Sequence, residues 1–171
     1  MLFLFVGNSG AGKDTLMREV AKVTNAHIAK RYITRPPSPE TEDFYSVDAC
    51  GFEKMAKNMC VTWESYENMY GIGNEVAEKI DDGELIFANV SRTVIKKIKS
   101  RWPETKIIYV DVPIETTIKR LNERQRDQKT VRARIARAKE NAGIESADFI
   151  VENKDLSDSI QKIVDYIQKQ V

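Results

Sequence analysis

Hydrophobic residues along the chain follow two patterns, and the two patterns alternate. The unbroken apolar run Leu2–Val6 is typical of a strand that is buried on both faces, and Leu16, Val20 and Val23 are spaced as on one face of a helix. Further segments follow with helices at 75–81, 93–101, 114–122 and 156–168 and strands at 84–89, 106–112 and 149–151. Strands that alternate with helices predict an α/β fold, in which helices cover both faces of a central parallel sheet.

Residues 34–73 interrupt this alternation. Pro36, Pro37 and Pro39 remove backbone donors and fix φ, which indicates a loop that leaves the main layer. A strand is expected before this loop at 27–33, and after it a strand at 44–47, a helix at 52–57, a strand at 60–65 and an aromatic-rich turn at 66–73. We therefore expect a small subdomain inserted between parallel strands of a single domain that spans residues 1–171.

The composition is that of an ordinary soluble domain, with 42% of the 171 residues hydrophobic and 31% charged. The net charge of +1, from 27 basic and 26 acidic residues, provides no global field that would attract nucleic acid or an anionic membrane, so we expect neither as a partner. Cys50 and Cys60 form no CxxC pair, as expected of free thiols in a reducing compartment. The apolar start is too short for a signal peptide or a membrane span, and we expect a cytoplasmic protein.

A glycine-rich segment joins the first strand to the first helix and matches the P-loop pattern G-x-x-x-x-G-K. Glycines allow successive backbone N–H groups to turn inward around a phosphate, and the helix that begins at Lys13 adds the positive end of its dipole. A glycine-rich turn that binds nothing is the alternative, but the strand–loop–helix context favours a nucleoside triphosphate site. The residues expected to hold the nucleotide are Gly7, Asn8, Ser9, Gly10, Ala11, Gly12, Lys13, Asp14 and Thr15.

One residue of this loop departs from the usual pattern. The Ser or Thr that normally follows the lysine, and whose hydroxyl binds Mg²⁺, is Asp14 in this chain. The strand expected at 84–89 ends in Ala88-Asn89 and so offers no acidic group to the metal. We therefore hypothesise that Asp14 binds Mg²⁺ directly or through a water. The alternative is that its negative charge only stabilises the helix N-terminus.

Six arginines fall within eighteen residues, at Arg120, Arg124, Arg126, Arg132, Arg134 and Arg137. This density suits a mobile lid at about 123–133 that closes over the triphosphate, although a solvated helix face is the alternative.

In an open parallel sheet, ligands bind at the carboxyl ends of the strands. The P-loop, Thr34-Arg35, the segment 89–92 and the residues after Val112 all follow predicted strands, so we expect them to face one cleft.

Several short motifs are distributed along nearly the whole chain, and their common order makes them informative. They are Gly12-Lys13-Asp14, Arg31-Tyr32-Ile33-Thr34-Arg35, Trp63 ahead of Tyr70-Gly71-Ile72-Gly73, Asn89-Val90-Ser91-Arg92, and Arg120-Leu121 with Arg124 and Arg134. Together they resemble the guanylate kinase-like group of P-loop kinases and, within it, the ribose 1,5-bisphosphate phosphokinase family of phosphonate catabolism. The resemblance implies a P-loop kinase fold with an inserted acceptor-binding subdomain and an arginine-rich lid.

The chain departs from true guanylate kinases where those enzymes bind the phosphate of GMP. They use a second arginine shortly after the Thr-Arg pair and a tyrosine further on, and the corresponding positions here are Ser38 and Phe44. This loss of polar groups indicates an altered acceptor site.

A second departure concerns the residues that read guanine. Guanylate kinases use a glutamate before the Tyr-Gly pair and an acidic residue after the next strand, where this chain has Val61 and Asn89. A shift in register could bring Glu64 or Glu67 to the first of these positions. A site built for guanine that lacks its hydrogen-bond acceptors would lose much of its discrimination, so a changed phosphate acceptor is expected.

The resemblance implies an enzyme that moves the γ-phosphate of ATP to ribose 1,5-bisphosphate and so gives 5-phosphoribosyl 1-diphosphate. Lys13 and the loop amides would hold ATP, with Mg²⁺ bridging its outer phosphates. The charge that develops during transfer would be neutralised by Arg124, Arg126 and Arg134. The acceptor's phosphates would be bound by Arg35 and Arg92, with Tyr70 as a hydroxyl donor or, equally, a packing residue.

Two alternatives remain open at this level. One is a nucleoside-monophosphate kinase with GMP or a deoxynucleotide as the acceptor, since a Gly-Lys-Asp-Thr loop also suits such enzymes. The other is a non-catalytic module of the guanylate kinase type that binds partners, although such a module would have no need of Lys13 or an arginine lid. The sequence leaves monomer and homodimer equally open.

Overall fold

The structure of the protein is a computed structural model, and it describes residues 1–37, 43–123, 128–140 and 146–171. Its strands are β1 (Leu2–Val6), β2 (His27–Ile28), β3 (Arg31–Ile33), β4 (Phe44–Ser46), β5 (Met59–Ser65), β6 (Asn68–Gly73), β7 (Ile86–Asn89), β8 (Lys106–Asp111) and β9 (Phe149–Glu152). Its helices are α1 (Lys13–Thr24), α2 (Ala49–Ala56), α3 (Glu75–Asp81), α4 (Ile95–Arg101), α5 (Ile114–Glu123), α6 (Gln128–Glu140) and α7 (Leu156–Gln168), with a 3-10 turn at Arg92–Val94.

The strands form two sheets. A parallel five-stranded sheet has the order β2-β7-β1-β8-β9 and is flanked by helices, which confirms the predicted α/β fold. A four-stranded sheet has the order β4-β3-β6-β5. Among the described residues, no helix combines the length and the apolar character that crossing a bilayer would need.

The chain forms two compact units. Residues Leu4–Asn25 and Lys106–Val171 form what we call the loop unit, because it contains the glycine-rich segment. Residues Met1–Phe3 and Ala26–Thr105 form the small-sheet unit. The prediction of a single domain over residues 1–171 stays a prediction.

The loop unit owes its core to apolar strands and amphipathic helices. Strand β8 is buried from Ile107 to Val110 and pairs in parallel with β9. Helix α7 buries Ile163 and Ile167 and packs against α1, and Phe149 of β9 stacks on Tyr166 with ring centroids 4.5 Å apart. This packing supports the loop that joins β1 to α1.

The small-sheet unit contains strands β3 to β6, and its register follows from a hairpin. Strands β5 and β6 are antiparallel and are joined by Tyr66 and Glu67, whose φ values of 50° and 63° suit the two central positions of a type I′ turn. Strand β3 then pairs with β6 on one side and with β4 on the other. The predicted short elements at 44–47 and 60–65 correspond to β4 and β5.

The structure corrects three of the predicted elements. The strand expected at 27–33 is two strands in different sheets, because β2 pairs with β7 whereas β3 pairs with β6. The helix expected at 52–57 begins at Ala49, since the Asp48 carboxylate accepts a hydrogen bond of 2.6 Å from Gly51 N and caps it earlier.

The third correction concerns the aromatic-rich turn expected at 66–73, most of which is strand β6. Glycines at 71 and 73 suggested a turn, but Gly71 lies in the sheet, where a Cβ would collide with Met59 Sδ and lie 3.3 Å from Phe52 Cζ. The glycine leaves room for Met59 and Phe52 beside the strand, and it does not mark a chain reversal.

Candidate active site

The glycine-rich loop lies between β1 and α1, as the pattern predicts. Lys13 is half-buried, and its Nζ donates hydrogen bonds to the carbonyl oxygens of Gly7 at 2.9 Å and Asn8 at 2.8 Å. Ala11 N also donates to Asn8 O at 3.2 Å, which closes the loop into a tight turn. The ammonium group therefore lies over the loop backbone, where it can meet a phosphate bound by the loop amides.

Gly12 caps the N-terminus of α1 in the left-handed conformation, with φ of 87°. It carries no side chain that could accept hydrogen bonds from the first helical turn, and a Cβ here would lie 2.6 Å from Asn153 Nδ2. The positive φ of Gly12 and the close approach of Asn153 both favour glycine at this position. A helix start without a side-chain cap suits an anion as its acceptor.

Two arginines of the predicted cluster contact the loop. Arg134 lies on α6 with only 6% of its surface exposed, and its Nη1 donates to Ser9 Oγ at 2.8 Å. Arg120 lies on α5, and its Nη1 donates to the carbonyl oxygen of Gly10 at 3.3 Å. A solvated helix face does not describe either residue, because both guanidinium groups reach the loop. The predicted lid residues Arg124 and Arg126 lie outside the described residues.

A buried asparagine provides a further contact with the loop. Asn153 follows β9 with 4% of its surface exposed, and its Nδ2 donates to Ala11 O at 2.8 Å while its backbone N donates to Asp111 O at 2.8 Å. The sequence interpretation missed this residue. Its signal was its place directly after a strand, the same position that singled out Thr34-Arg35 and 89–92.

Asp14 occupies the first turn of α1 and is half-buried. No group of three or more metal-binding side chains occurs among residues 1–37, 43–123, 128–140 and 146–171. Mg²⁺ in phosphotransferases is usually held by one or two carboxylates together with substrate phosphates and water. A single carboxylate beside Lys13 therefore fits this ion, and Thr15, which is exposed, follows it in the same turn.

Arg35 lies in the small-sheet unit, directly after β3. Its backbone is anchored, because Ser46 Oγ donates to Arg35 O at 2.7 Å and the preceding Thr34 exchanges hydrogen bonds with the backbone of Met69. Its guanidinium lies over the ring of Phe44, with Cζ 4.9 Å from the ring centroid. The predicted acceptor-side arginine is thus held at both its backbone and its head group.

The other two predicted acceptor residues belong to the same unit. Tyr70 has 7% of its surface exposed and stacks on Trp63 with ring centroids 5.5 Å apart and planes 10° apart, which favours the packing interpretation. Arg92 is half-buried and opens the 3-10 turn after β7, where Ser91 caps the turn by accepting from Thr93 N.

The positions aligned with the guanine-reading residues are buried. Val61 on β5 has 2% of its surface exposed and Asn89 at the end of β7 has 5%. The two nearby glutamates lie elsewhere, because Glu64 is on the exposed side of β5 and Glu67 is in the hairpin turn. An apolar Val61 cannot accept a hydrogen bond from a base.

Two titratable groups of the small-sheet unit are perturbed by burial. Burial raises the pKa of the Cys60 thiol to about 11, and its Sγ donates to Ile72 O at 3.2 Å. Burial also raises the pKa of the Tyr32 hydroxyl, and the Glu75 carboxylate adds to this effect. Both groups therefore remain protonated at neutral pH, and both Cys50 and Cys60 are free thiols as expected.

With this geometry described, comparison with known proteins identifies the family. The guanylate kinase family model matches residues 2–170. The ribose 1,5-bisphosphate phosphokinase PhnN of Rhizobium etli (strain CIAT 652) is 33% identical over 169 residues, which cover 95% of this chain and 84% of that protein. The chain belongs to the ribose 1,5-bisphosphate phosphokinase family. A second relative, from Acidiphilium cryptum (strain JF-5), is 31% identical over 157 residues that cover 90% of this chain and 83% of that protein.

A solved structure supports the same fold. Guanylate kinase from Anaplasma phagocytophilum superimposes with a TM-score of 0.73 over 99% of this chain and 85% of that chain, at 17% sequence identity. As a member of the ribose 1,5-bisphosphate phosphokinase family, the chain is a kinase with a nucleotide-binding P-loop fold. The alternative of a non-catalytic binding module is therefore set aside.

Proposed function

We propose that this kinase transfers the γ-phosphoryl group of ATP to ribose 1,5-bisphosphate and gives 5-phosphoribosyl 1-diphosphate. One observation carries the proposal: the chain keeps the glycines and Lys13 of the phosphate loop, whereas Val61 is apolar and buried where a guanylate kinase would read guanine. Such a residue set suits an acceptor that has phosphates but no base. The names of the relatives support the same acceptor.

The donor would be held by the loop unit. Lys13 and the loop amides would bind the β- and γ-phosphates of ATP, and Arg134 would stabilise the charge that develops on the transferred group. Arg124 and Arg126 are proposed to add positive charge from the lid side. Asp14 would hold Mg²⁺, which supplies charge neutralisation on the outer phosphates when bound.

The acceptor would be held by the small-sheet unit. Arg35 and Arg92 would bind the two phosphates of ribose 1,5-bisphosphate, because a guanidinium matches phosphate oxygens with two parallel hydrogen bonds. Tyr70 is proposed to support this side by packing on Trp63, as its stacked ring indicates. These assignments would make the acceptor's affinity depend on charge and not on base recognition.

The chemistry itself requires little from the protein. An oxygen of the acceptor's 1-phosphate, which is already ionised since a phosphate monoester has a second pKa of about 6, attacks the γ-phosphorus of ATP. The bond from that phosphorus to the β,γ-bridging oxygen breaks, and ADP leaves. No strong general base is needed, so positioning and positive charge would account for catalysis.

A nucleoside-monophosphate kinase remains the second candidate, because the matching family model is that of guanylate kinase. We also propose that the enzyme acts in the cytoplasm, where its free thiols would remain reduced, as a monomer or a homodimer.

The test is ATP consumption with ribose 1,5-bisphosphate, GMP and dGMP side by side, with the products identified by ³¹P NMR. With ribose 1,5-bisphosphate we expect ADP and, in addition, the diphosphate resonance of the phosphorylated sugar. With GMP or dGMP we expect no ADP. The Lys13→Ala variant, purified in the same way, controls for contaminating kinases. Turnover of GMP without turnover of ribose 1,5-bisphosphate would overturn the proposal in favour of the nucleotide kinase.

A further inference from the structure

Two aromatic residues form a stacked pair on one face of the small sheet. Trp63 lies opposite Tyr70 in the β5–β6 ladder, with ring centroids 5.5 Å apart and planes 10° apart. Ile33 of β3 lies opposite Tyr70 on its other side, so the three side chains form a row across the sheet. Val61 shares their face, because it lies two residues before Trp63 on β5. All four side chains are buried, so this face of the sheet is filled.

The stacked pair lies between the elements that carry the two arginines proposed to bind the acceptor. Arg35 comes two residues after Ile33, the last residue of β3. Arg92 opens the 3-10 turn, and this turn contacts β5. The order across the small-sheet unit is therefore β3, β6, β5 and the turn. An acceptor held by both arginines would lie beside the aromatic pair.

We propose that Trp63, stacked on Tyr70, is a specificity-determining residue, whose indole ring fills the space that the base of a nucleoside monophosphate would need. The site then admits a sugar phosphate without a base. The inference rests on the proposed function in one respect, namely that Arg35 and Arg92 bind the acceptor. It deepens that function because it names the side chain that excludes the competing class of acceptor.

The shape of the indole ring is what suits it to this role. Nucleobases bind proteins by stacking on aromatic side chains, and the ring of Tyr70 offers such a surface. The indole of Trp63 is a flat bicyclic ring like a purine, and it already occupies the stacking position on Tyr70. A base could take that position only if the indole left it, since a packed interior has no spare volume.

The indole lies at the margin of the buried face and not at its centre. Trp63 has 8% of its surface exposed, whereas Ile33 in the same row has 0%. Shortening the side chain of Trp63 would therefore open a cavity that reaches solvent, because the surrounding structure relaxes only in part after such a change. A ligand could enter this cavity without unfolding the sheet.

The experiment compares the binding of GMP and ribose 5-phosphate by isothermal titration calorimetry. These two ligands share the sugar phosphate and differ only in the base, so the ratio of their Kd values measures how well the base is accepted. We expect the wild type to bind ribose 5-phosphate about tenfold more tightly than GMP. In Trp63→Leu the Kd of GMP should fall about tenfold, while that of ribose 5-phosphate stays within about twofold of the wild type.

Two further variants control for the loss of a large side chain. Trp102→Leu removes the other tryptophan of the small-sheet unit, whose Nε1 donates to Asp81 Oδ1 at 3.1 Å, and it should change neither Kd. Trp63→Phe removes less volume and keeps an aromatic ring, so the Kd of GMP should fall by a smaller factor, about threefold. Circular dichroism reports whether each variant is folded, and Trp63→Phe decides the question if Trp63→Leu does not fold.

The outcomes separate this inference from the proposed function. If the folded variants of Trp63 bind GMP no better than the wild type, or bind both ligands more tightly by the same factor, the indole only supports the fold and the specificity role is overturned. A wild type that binds GMP as tightly as ribose 5-phosphate also overturns the role, because the base is then not excluded. The proposed function fails separately, if the wild type does not turn over ribose 1,5-bisphosphate.

Discussion

The phosphate loop and the Arg35 segment are both anchored by hydrogen bonds, but the bonds span very different lengths of chain. Arg134 reaches Ser9 across 125 residues and Asn153 reaches Ala11 across 142. By contrast, Ser46 reaches Arg35 across 11 residues. The proposed donor side therefore depends on contacts between distant parts of one unit, whereas the proposed acceptor side depends on one small sheet. Substitutions in these two regions should therefore differ in how far a loss of activity is accompanied by a loss of stability.

The largest expected effect comes from Lys13→Ala. If the ammonium acts on charge that develops during transfer, as proposed, kcat should fall by about 10³-fold or more. The loss of two hydrogen bonds to Gly7 and Asn8 should affect the fold far less. Turnover is measured alongside circular dichroism, and near-wild-type turnover would refute the phosphate-binding role of the loop.

The acceptor side is tested by Arg35→Ala. A hydrogen bond to a charged partner is worth about 1.5–3 kcal/mol, so the acceptor's KM should rise about 10- to 100-fold while that of ATP changes little. Steady-state kinetics with each substrate varied in turn give both values. Should the KM of ATP rise instead, Arg35 serves the donor, and the assignment of the Arg35 segment to the acceptor is wrong.

Asn153→Ala tests whether the donor side couples to stability. The change leaves the buried Ala11 carbonyl without its 2.8 Å donor, which should cost about 2 kcal/mol of unfolding free energy. The melting temperature should fall by about 2–4 °C for each kcal/mol, and the KM of ATP should rise because the loop is no longer supported.

Asn58→Ala is the control for Asn153→Ala, because Asn58 is exposed just after α2. Removing its side-chain amide should change neither the melting temperature nor the KM of ATP. Equal melting temperatures for the two variants would show that the long-range contact contributes nothing to the loop.

The smallest effect is expected from Asp14→Asn, which keeps the shape of the side chain and removes its charge. If Asp14 serves the metal, half-maximal activity should need about fivefold more Mg²⁺, on the order of 1 kcal/mol. The melting temperature without Mg²⁺ should barely change, and its increase on adding Mg²⁺ and ATP should be smaller than in the wild type. An unchanged Mg²⁺ requirement with a lower melting temperature would assign Asp14 to the helix dipole instead.

Much of the fold could be predicted because its signals are local. The apolar run Leu2–Val6, the glycines after it and the helix at Glu75–Asp81 all appear where periodicity and turn chemistry predict them. The loop could be recognised for the same reason, since its function needs small residues and a lysine at fixed spacing. A family resemblance based on these short motifs was confirmed by the comparisons.

What the sequence by itself determined is therefore the alternation of strands and helices in the α/β fold, the glycine-rich loop and the kinase class. Only the tertiary structure decided that residues 27–33 divide between two sheets, that Gly71 lies within a strand, and that Asn153 supports the loop. The physical reason is that register and buried hydrogen bonds depend on partners far away in the chain. Local propensity carries no information about which distant strand or carbonyl will be the partner.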